Sequence, residues 1–152
     1  MSENQLLFYT VPDKALDNLL RAQRIDRDVK YAMETMAVDV TRREDLGPLM
    51  EGYTGILDDY DVDLNEAGSN EAADTLTGLE EQSEFVWFTI PAREAKKVAK
   101  KVRAVTITEE DVDNYFESAD ASLADLQGIH AAFLSALEDV DEGQTLVFPI
   151  AS

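Results

Sequence analysis

The 152-residue chain contains no cysteine and a single histidine. The absence of cysteine excludes disulfide bonds, thiolate metal sites and cysteine nucleophiles, and it suits a reducing compartment. One histidine excludes metal sites built from several histidines. No apolar stretch approaches the ~20 residues needed to cross a bilayer, and the first residues lack the positive segment of a secretory signal. We therefore expect a cytoplasmic protein with no metal and no other cofactor.

Basic residues are also scarce, with 13 Lys and Arg against 32 Asp and Glu and a formal net charge of -19. Residues 1–43 are neutral. Residues 44–92 carry 13 acids and no base, residues 93–103 hold six bases against Glu94 alone, and residues 104–152 carry 11 acids and no base. A net charge of this sign repels nucleic acid and anionic lipid, so we expect no direct binding of either.

The acids are concentrated in three dense runs, at 58–66, 109–117 and 138–142. Carboxylates spaced more closely than the Debye length of about 8 Å act together on an approaching charge, whereas evenly spread ones do not. We expect the first two runs to bind a partner. The residues expected to do so are Asp58, Asp59, Asp61, Asp63, Glu66, Glu109, Glu110, Asp113 and Glu117.

Three short segments rich in aromatic and β-branched residues predict strands near 6–11, 85–90 and 145–150. The middle segment is apolar on both faces, which favours the centre of the sheet. Helical periodicity predicts the elements between them. The predicted helices cover 13–25, 28–40, 45–57 (broken by glycines), 71–82, 92–103, a segment capped by Thr108 with Asp111, and 122–140. The pattern predicts a single α+β domain over residues 1–152, with several helices packed around a small sheet.

Several segments resemble the YfbM-like proteins, a family of bacterial domains of unknown function. The opening LLFYTVPDKALDNLL, residues 6–20, is similar to the start of that family, and FTIPAREAKKVAKKV, residues 88–102, is similar to its middle strand and helix. The closing helix and strand, residues 123–150, match in order and spacing. The tryptophan and Leu-His motif of the family has no counterpart here, since residues 46–58 offer only Tyr53-Thr54-Gly55. The resemblance implies an α+β fold and no particular chemistry.

A calcium loop is a weaker interpretation of the first acidic run. Asp59, Asp61, Asp63 and Asn65 alternate as in an EF-hand, but Leu64 stands where that loop requires glycine, and the twelfth position is asparagine instead of glutamate. A solvated acidic loop or an interaction surface fits these residues better.

His130 lies among apolar residues at helical spacing, which is more typical of a hydrogen-bonded core or boundary histidine than of a general base. The basic helix over 92–103 could bind phosphate, but its cations are more simply explained by attraction to acidic segments of the same molecule or of a second copy. Self-association through this helix therefore remains open.

The composition favours a non-enzymatic binding protein. Carboxylates can occupy a positive groove meant for phosphates, and complementary fields accelerate association. An inhibitor or immunity-type protein that mimics DNA and occupies the basic surface of a nuclease toxin, or of another nucleic-acid-handling protein, fits this physics. Two alternatives stay open: a small carboxylate-dependent enzyme, with or without a metal, and a YfbM-like protein of unrelated function whose acidity is an adaptation to salt.

Overall fold

The structure is a computed structural model. It describes residues 5–21, 29–44, 46–64, 74–75, 77–78, 85–117 and 120–151.

Four strands in the described chain form one antiparallel sheet in the order β2-β1-β4-β3. The strands are β1 (Leu6–Pro12), β2 (Asp39–Arg43), β3 (Phe85–Pro91) and β4 (Gln144–Ala151). The predicted strands near 6–11, 85–90 and 145–150 are confirmed as β1, β3 and β4. The described elements form one α+β domain, as the sequence pattern predicts.

The prediction that 85–90 is the central strand was wrong, because β3 pairs only with β4 and lies at an edge of the described sheet. Helices cover both faces of the sheet, so even an edge strand is apolar on both sides. Trp87 packs on one face, whereas Phe88 and Ile90 pack on the other. The backbone N–H of Trp87 donates to the hydroxyl of Thr77 at 3.1 Å, so a side chain meets β3 outside the strand ladder.

Two helices, α1 (Asp13–Leu20) and α2 (Val29–Met36), cover the first face of the sheet. The helix predicted over 13–25 ends at Leu20, and residues 22–28 lie outside the described chain. The buried residues of this smaller core alternate along the strands, as half of a two-sided sheet requires. They are Leu7, Tyr9, Val11, Leu16, Val29, Met33, Trp87 and Val147.

The helix predicted over 28–40 was wrong beyond Met36, because β2 begins at Asp39. The helix ends at Met36, and the backbone N–H of Val38 then donates to the carbonyl oxygen of Thr10 at 2.8 Å, which directs the chain into β2 beside β1. Only Val40 of β2 packs against the core, so the strand carries a weak apolar signal. The helix predicted over 71–82 lies largely outside the described residues. Within this segment only 74–75 and 77–78 are described, and they are helical.

Four helices cover the second face of the sheet: α3 (Met50–Asp59), α4 (Ala92–Arg103), α5 (Glu109–Tyr115) and α6 (Leu123–Glu138). A 3-10 turn over Gly47–Leu49 precedes α3, so the helix predicted over 45–57 is present, but it is not broken at Gly52 or Gly55 and it continues to Asp59. Their core is aromatic at its centre. The ring of Phe133 in α6 lies 5.5 Å from that of Phe8 and 5.7 Å from that of Phe148.

Reciprocal capping fixes where α5 begins, and thereby where its carboxylates lie. The backbone N–H of Asp111 donates to the Thr108 hydroxyl at 3.2 Å, and the Thr108 N–H donates to the Asp111 carboxylate at 2.9 Å. This confirms the predicted cap and satisfies two amide groups at the start of the helix that would otherwise lack partners. Ser122 and Asp125 cap α6 in the same way. No helix in the described part of the chain is long and apolar enough to span a membrane.

Candidate acidic binding surface

Two glycines one turn apart on α3 allow α5 to approach closely. A Cβ atom at Gly55 would lie 2.5 Å from the ring of Tyr115, and one at Gly52 would overlap the ring of Phe116. Any other residue at either position would therefore have to displace an aromatic ring at the end of α5. The glycines that weaken the helical pattern of 45–57 are thus the residues that admit these two rings.

Two tyrosine–aspartate hydrogen bonds cross between the first and second acidic runs. The hydroxyl of Tyr115 lies 2.8 Å from the carboxylate of Asp59 and 3.0 Å from the carbonyl oxygen of Gly55. In the opposite direction, the hydroxyl of Tyr60 donates to the carboxylate of Asp111 at 2.7 Å. Each run therefore supplies one phenol and one carboxylate to the other, and the two runs form one surface.

Most of the residues predicted to bind a partner are exposed on this surface. Seven are exposed, Asp63 is half-buried, and Glu66 lies outside the described residues. We use the name "acidic surface" for the seven exposed residues: Asp58, Asp59, Asp61, Glu109, Glu110, Asp113 and Glu117. The charge of Asp58 acts on Tyr115 and that of Glu110 acts on Tyr60, so acids of both runs lie near the crossed hydrogen bonds.

The crossed hydrogen bonds change how their members titrate. The hydrogen bond to Asp111 raises the pKa of Tyr60, and the hydrogen bond to Asp59 raises the pKa of Tyr115, since a phenolate could not donate to a carboxylate. Burial raises the pKa of Asp111, but the hydrogen bonds from Tyr60 and Thr108 outweigh it, so the pKa is lowered. The two tyrosines therefore stay protonated, and Asp111 stays charged, over a wide pH range.

The acidic surface is not neutralised by the basic helix. Among the described residues, the ion pairs of α4 join Arg103 to Glu138 at 2.8 Å and join Lys97 and Arg93 to Glu94 at 3.7 and 4.0 Å. Arg103 thus pairs with the third acidic run. This ion pair agrees with the expected attraction between the basic helix and acidic segments of the same molecule. In the part of the chain described, no ion pair involves a member of the acidic surface.

A cleft of about 770 Å³ opens beside the acidic surface, along the side of α3. Its lining combines carboxylates with aromatic rings. The lining includes the carboxylates of Glu51, Asp58 and Asp63 and the rings of Phe88, Tyr115 and Phe116. Sequence reasoning missed Glu51 and the aromatic residues of this cleft. The pair of glycines three residues apart was the one local signal of a close aromatic contact.

His130 is a hydrogen-bonded boundary residue, as predicted. Its Nδ1 atom lies 2.8 Å from the hydroxyl of the buried Tyr53, and its ring also hydrogen-bonds to the backbone at Val102 and Val105. Burial lowers the pKa of His130, although the backbone hydrogen bonds act to raise it. Burial also raises the pKa of Tyr53. A neutral imidazole that accepts from Tyr53 at Nδ1 and donates its single N–H to the backbone satisfies both of its ring nitrogens.

The described residues contain no group of three or more His, Asp or Glu side chains placed to hold a metal ion. In the EF-hand-like segment, Asp59 is bound by Tyr115, and Asn65 lies outside the described chain. Comparison of the chain with protein-family models, with curated proteins and with solved structures finds no match. The resemblance to the YfbM-like family therefore stays a prediction.

Proposed function

We propose that the protein is a non-enzymatic binding protein whose acidic surface occupies the basic surface of a partner protein, in the manner of an inhibitor or immunity protein. A partner that handles nucleic acid, such as a nuclease toxin, presents the matching positive groove. The absence of cysteine supports action in the cytoplasm. Self-association, with the basic helix α4 of one copy on the acidic surface of another, is a second arrangement that the charges favour.

The observation that carries the proposal is the crossing of Tyr60 to Asp111 and of Tyr115 to Asp59. These bonds hold two acidic runs, distant in sequence, on one face. Like charges held together with no ion pair to any described residue are unfavourable for the isolated protein. A cationic partner would relieve that repulsion on binding, and its approach would be accelerated by the same field.

The experiment that tests this proposal is affinity capture from native cells at low salt, with the wild type and two variants of equal charge as baits. The surface variant is Asp61→Asn, Glu110→Gln, Asp113→Asn. The control variant is Asp139→Asn, Asp141→Asn, Glu142→Gln, which removes the same charge from the third run. We expect one basic protein to be captured by the wild type and the control variant, and to be lost with the surface variant. Equal capture by both variants would contradict the proposal.

A further inference from the structure

We infer that the cleft beside α3 receives an arginine side chain of the partner, which anchors the complex. This inference rests on the proposed function and adds to it a specific chemistry of recognition. The cleft is continuous with the acidic surface through Asp58, which belongs to both. An anchoring residue that enters the cleft would therefore approach through the negative field.

The lining matches each part of an arginine side chain. Asp58 and Glu51 provide carboxylates for the guanidinium, which donates hydrogen bonds in a planar fork. The rings of Tyr115 and Phe116 also line the cleft, and aromatic rings attract a planar cation. Apolar Val62 also lines the cleft and can contact the methylene stem.

The same chemistry disfavours lysine. An ammonium ion is strongly hydrated and cannot form two parallel hydrogen bonds to a carboxylate, whereas guanidinium is weakly hydrated and stacks on aromatic rings. The volume of about 770 Å³ exceeds that of a single side chain, so the residues flanking the arginine would enter with it. Arginine anchors are common among the residues that dominate binding energy at protein interfaces.

The crossed hydrogen bonds involve other carboxylates than that of Asp58, which remains available to a ligand in the cleft. Asp59 accepts from Tyr115 and Asp111 accepts from Tyr60, so these carboxylates are used within the protein. The side chain of Asp58 has no hydrogen bond or ion pair to another described residue, and it lines the cleft. Of these two adjacent aspartates, Asp59 therefore holds α5, and Asp58 is free to bind the ligand.

The test uses three capped amino acids as probes: Nα-acetyl-arginine methylamide and its lysine and citrulline counterparts. Binding is followed by the amide signals of Gly52 and Gly55 in two-dimensional NMR of the full-length protein. We expect saturable shifts with the arginine probe, affinity about threefold or more weaker with the lysine probe, and no shift with uncharged citrulline. Equal affinity for arginine and lysine would overturn the assignment of an arginine anchor.

Two substitutions locate the site. Asp58→Asn is expected to weaken binding of the arginine probe by about threefold to fivefold, as loss of a partly exposed ion pair does. Phe116→Leu, which removes one of the two rings assigned to the cation and keeps an apolar side chain, is expected to weaken it by a similar factor. The matched control Asp141→Asn is expected to leave affinity unchanged. An equal effect of Asp58→Asn and Asp141→Asn would mean non-specific attraction and would overturn the inference.

This experiment and the capture experiment can fail separately. Probe binding in the cleft without a basic protein partner would refute the proposed function and leave an arginine-binding cleft. Salt-dependent capture of a basic protein, without saturable probe shifts at Gly52 and Gly55, would refute the anchor and leave the acidic surface intact.

Discussion

Tyr115 donates its phenolic hydroxyl to the carboxylate of Asp59, 56 residues earlier in the chain, at 2.8 Å. One residue after Asp59, Tyr60 returns a hydrogen bond to the helix that carries Tyr115, through Asp111. The two bonds run in opposite directions between the same two helices. They make the acidic surface a built feature of the fold instead of two independent loops.

The titration of Tyr115 tests this relationship directly. We expect Asp59→Asn to lower the pKa of Tyr115 towards the ordinary value of 10.0, because the carboxylate that stabilises the protonated phenol is lost. The pKa of Tyr115 is raised in the folded state, so its contribution to stability is present below about pH 10 and is lost as the pH rises through the folded-state value. A pH titration of the tyrosine ring signals by NMR measures both effects. Identical Tyr115 titration curves in the wild type and Asp59→Asn would show that the bond does not form.

Glycine substitutions test the close approach of α5 to α3. Gly128 in α6 has only Leu46 near its potential Cβ, at 3.8 Å, so Gly128→Ala should stabilise the protein by about 0.5–1 kcal/mol through helix propensity. Gly55→Ala should lose this gain and destabilise the protein, because its methyl group displaces the Tyr115 ring and breaks the bond to Asp59. Denaturant unfolding of the two variants measures the difference. A stabilising Gly55→Ala would contradict the packing of α3 against α5.

Much of the fold follows from local patterns, but the acidic surface does not. Thr108 with Asp111 at the third helical position predicts the start of α5 from four residues alone. By contrast, the contact of Tyr60 with Asp111 depends on how two helices pack, and no local pattern encodes that. The edge position of β3 could not be predicted either, because β3 carries apolar side chains on both faces, with Trp87 on one and Phe88 on the other. A central strand and an edge strand covered by helices on both faces show the same pattern.

Because of the Tyr53–His130 pair, we expect the folding stability to depend on pH in the mildly acidic range. The pKa of His130 is lowered in the folded state, so the unfolded chain takes up a proton first as the pH falls below about 6.5. Stability from this group is therefore present above that pH and is lost below it, down to the folded-state pKa. We expect His130→Gln to remove this part of the pH dependence, which unfolding experiments on both proteins from neutral to mildly acidic pH would measure. Unchanged pH dependence in His130→Gln would contradict the assignment.

A second substitution examines the same pair from the other side. Tyr53→Phe removes the donor to Nδ1 of the half-buried His130 and leaves that nitrogen without its partner, which should cost about 1 kcal/mol of stability. It should also raise the pKa of His130, because the neutral ring loses the hydrogen bond that favours it. NMR titration of the single histidine reads that pKa without overlap. A fall in the pKa of His130 would be the contrary result.

The central claim is that the acidic surface attracts a basic partner, and the association rate of the captured partner tests it most directly. Rates are compared for the wild type, for Asp61→Asn with Glu110→Gln and Asp113→Asn, and for the equal-charge control in the third run, between ~50 and ~500 mM salt. We predict a steep fall with salt for the wild type and the control, and a low-salt rate about tenfold lower for the surface variant. A rate insensitive to salt, or equal for the two variants, would contradict the claim.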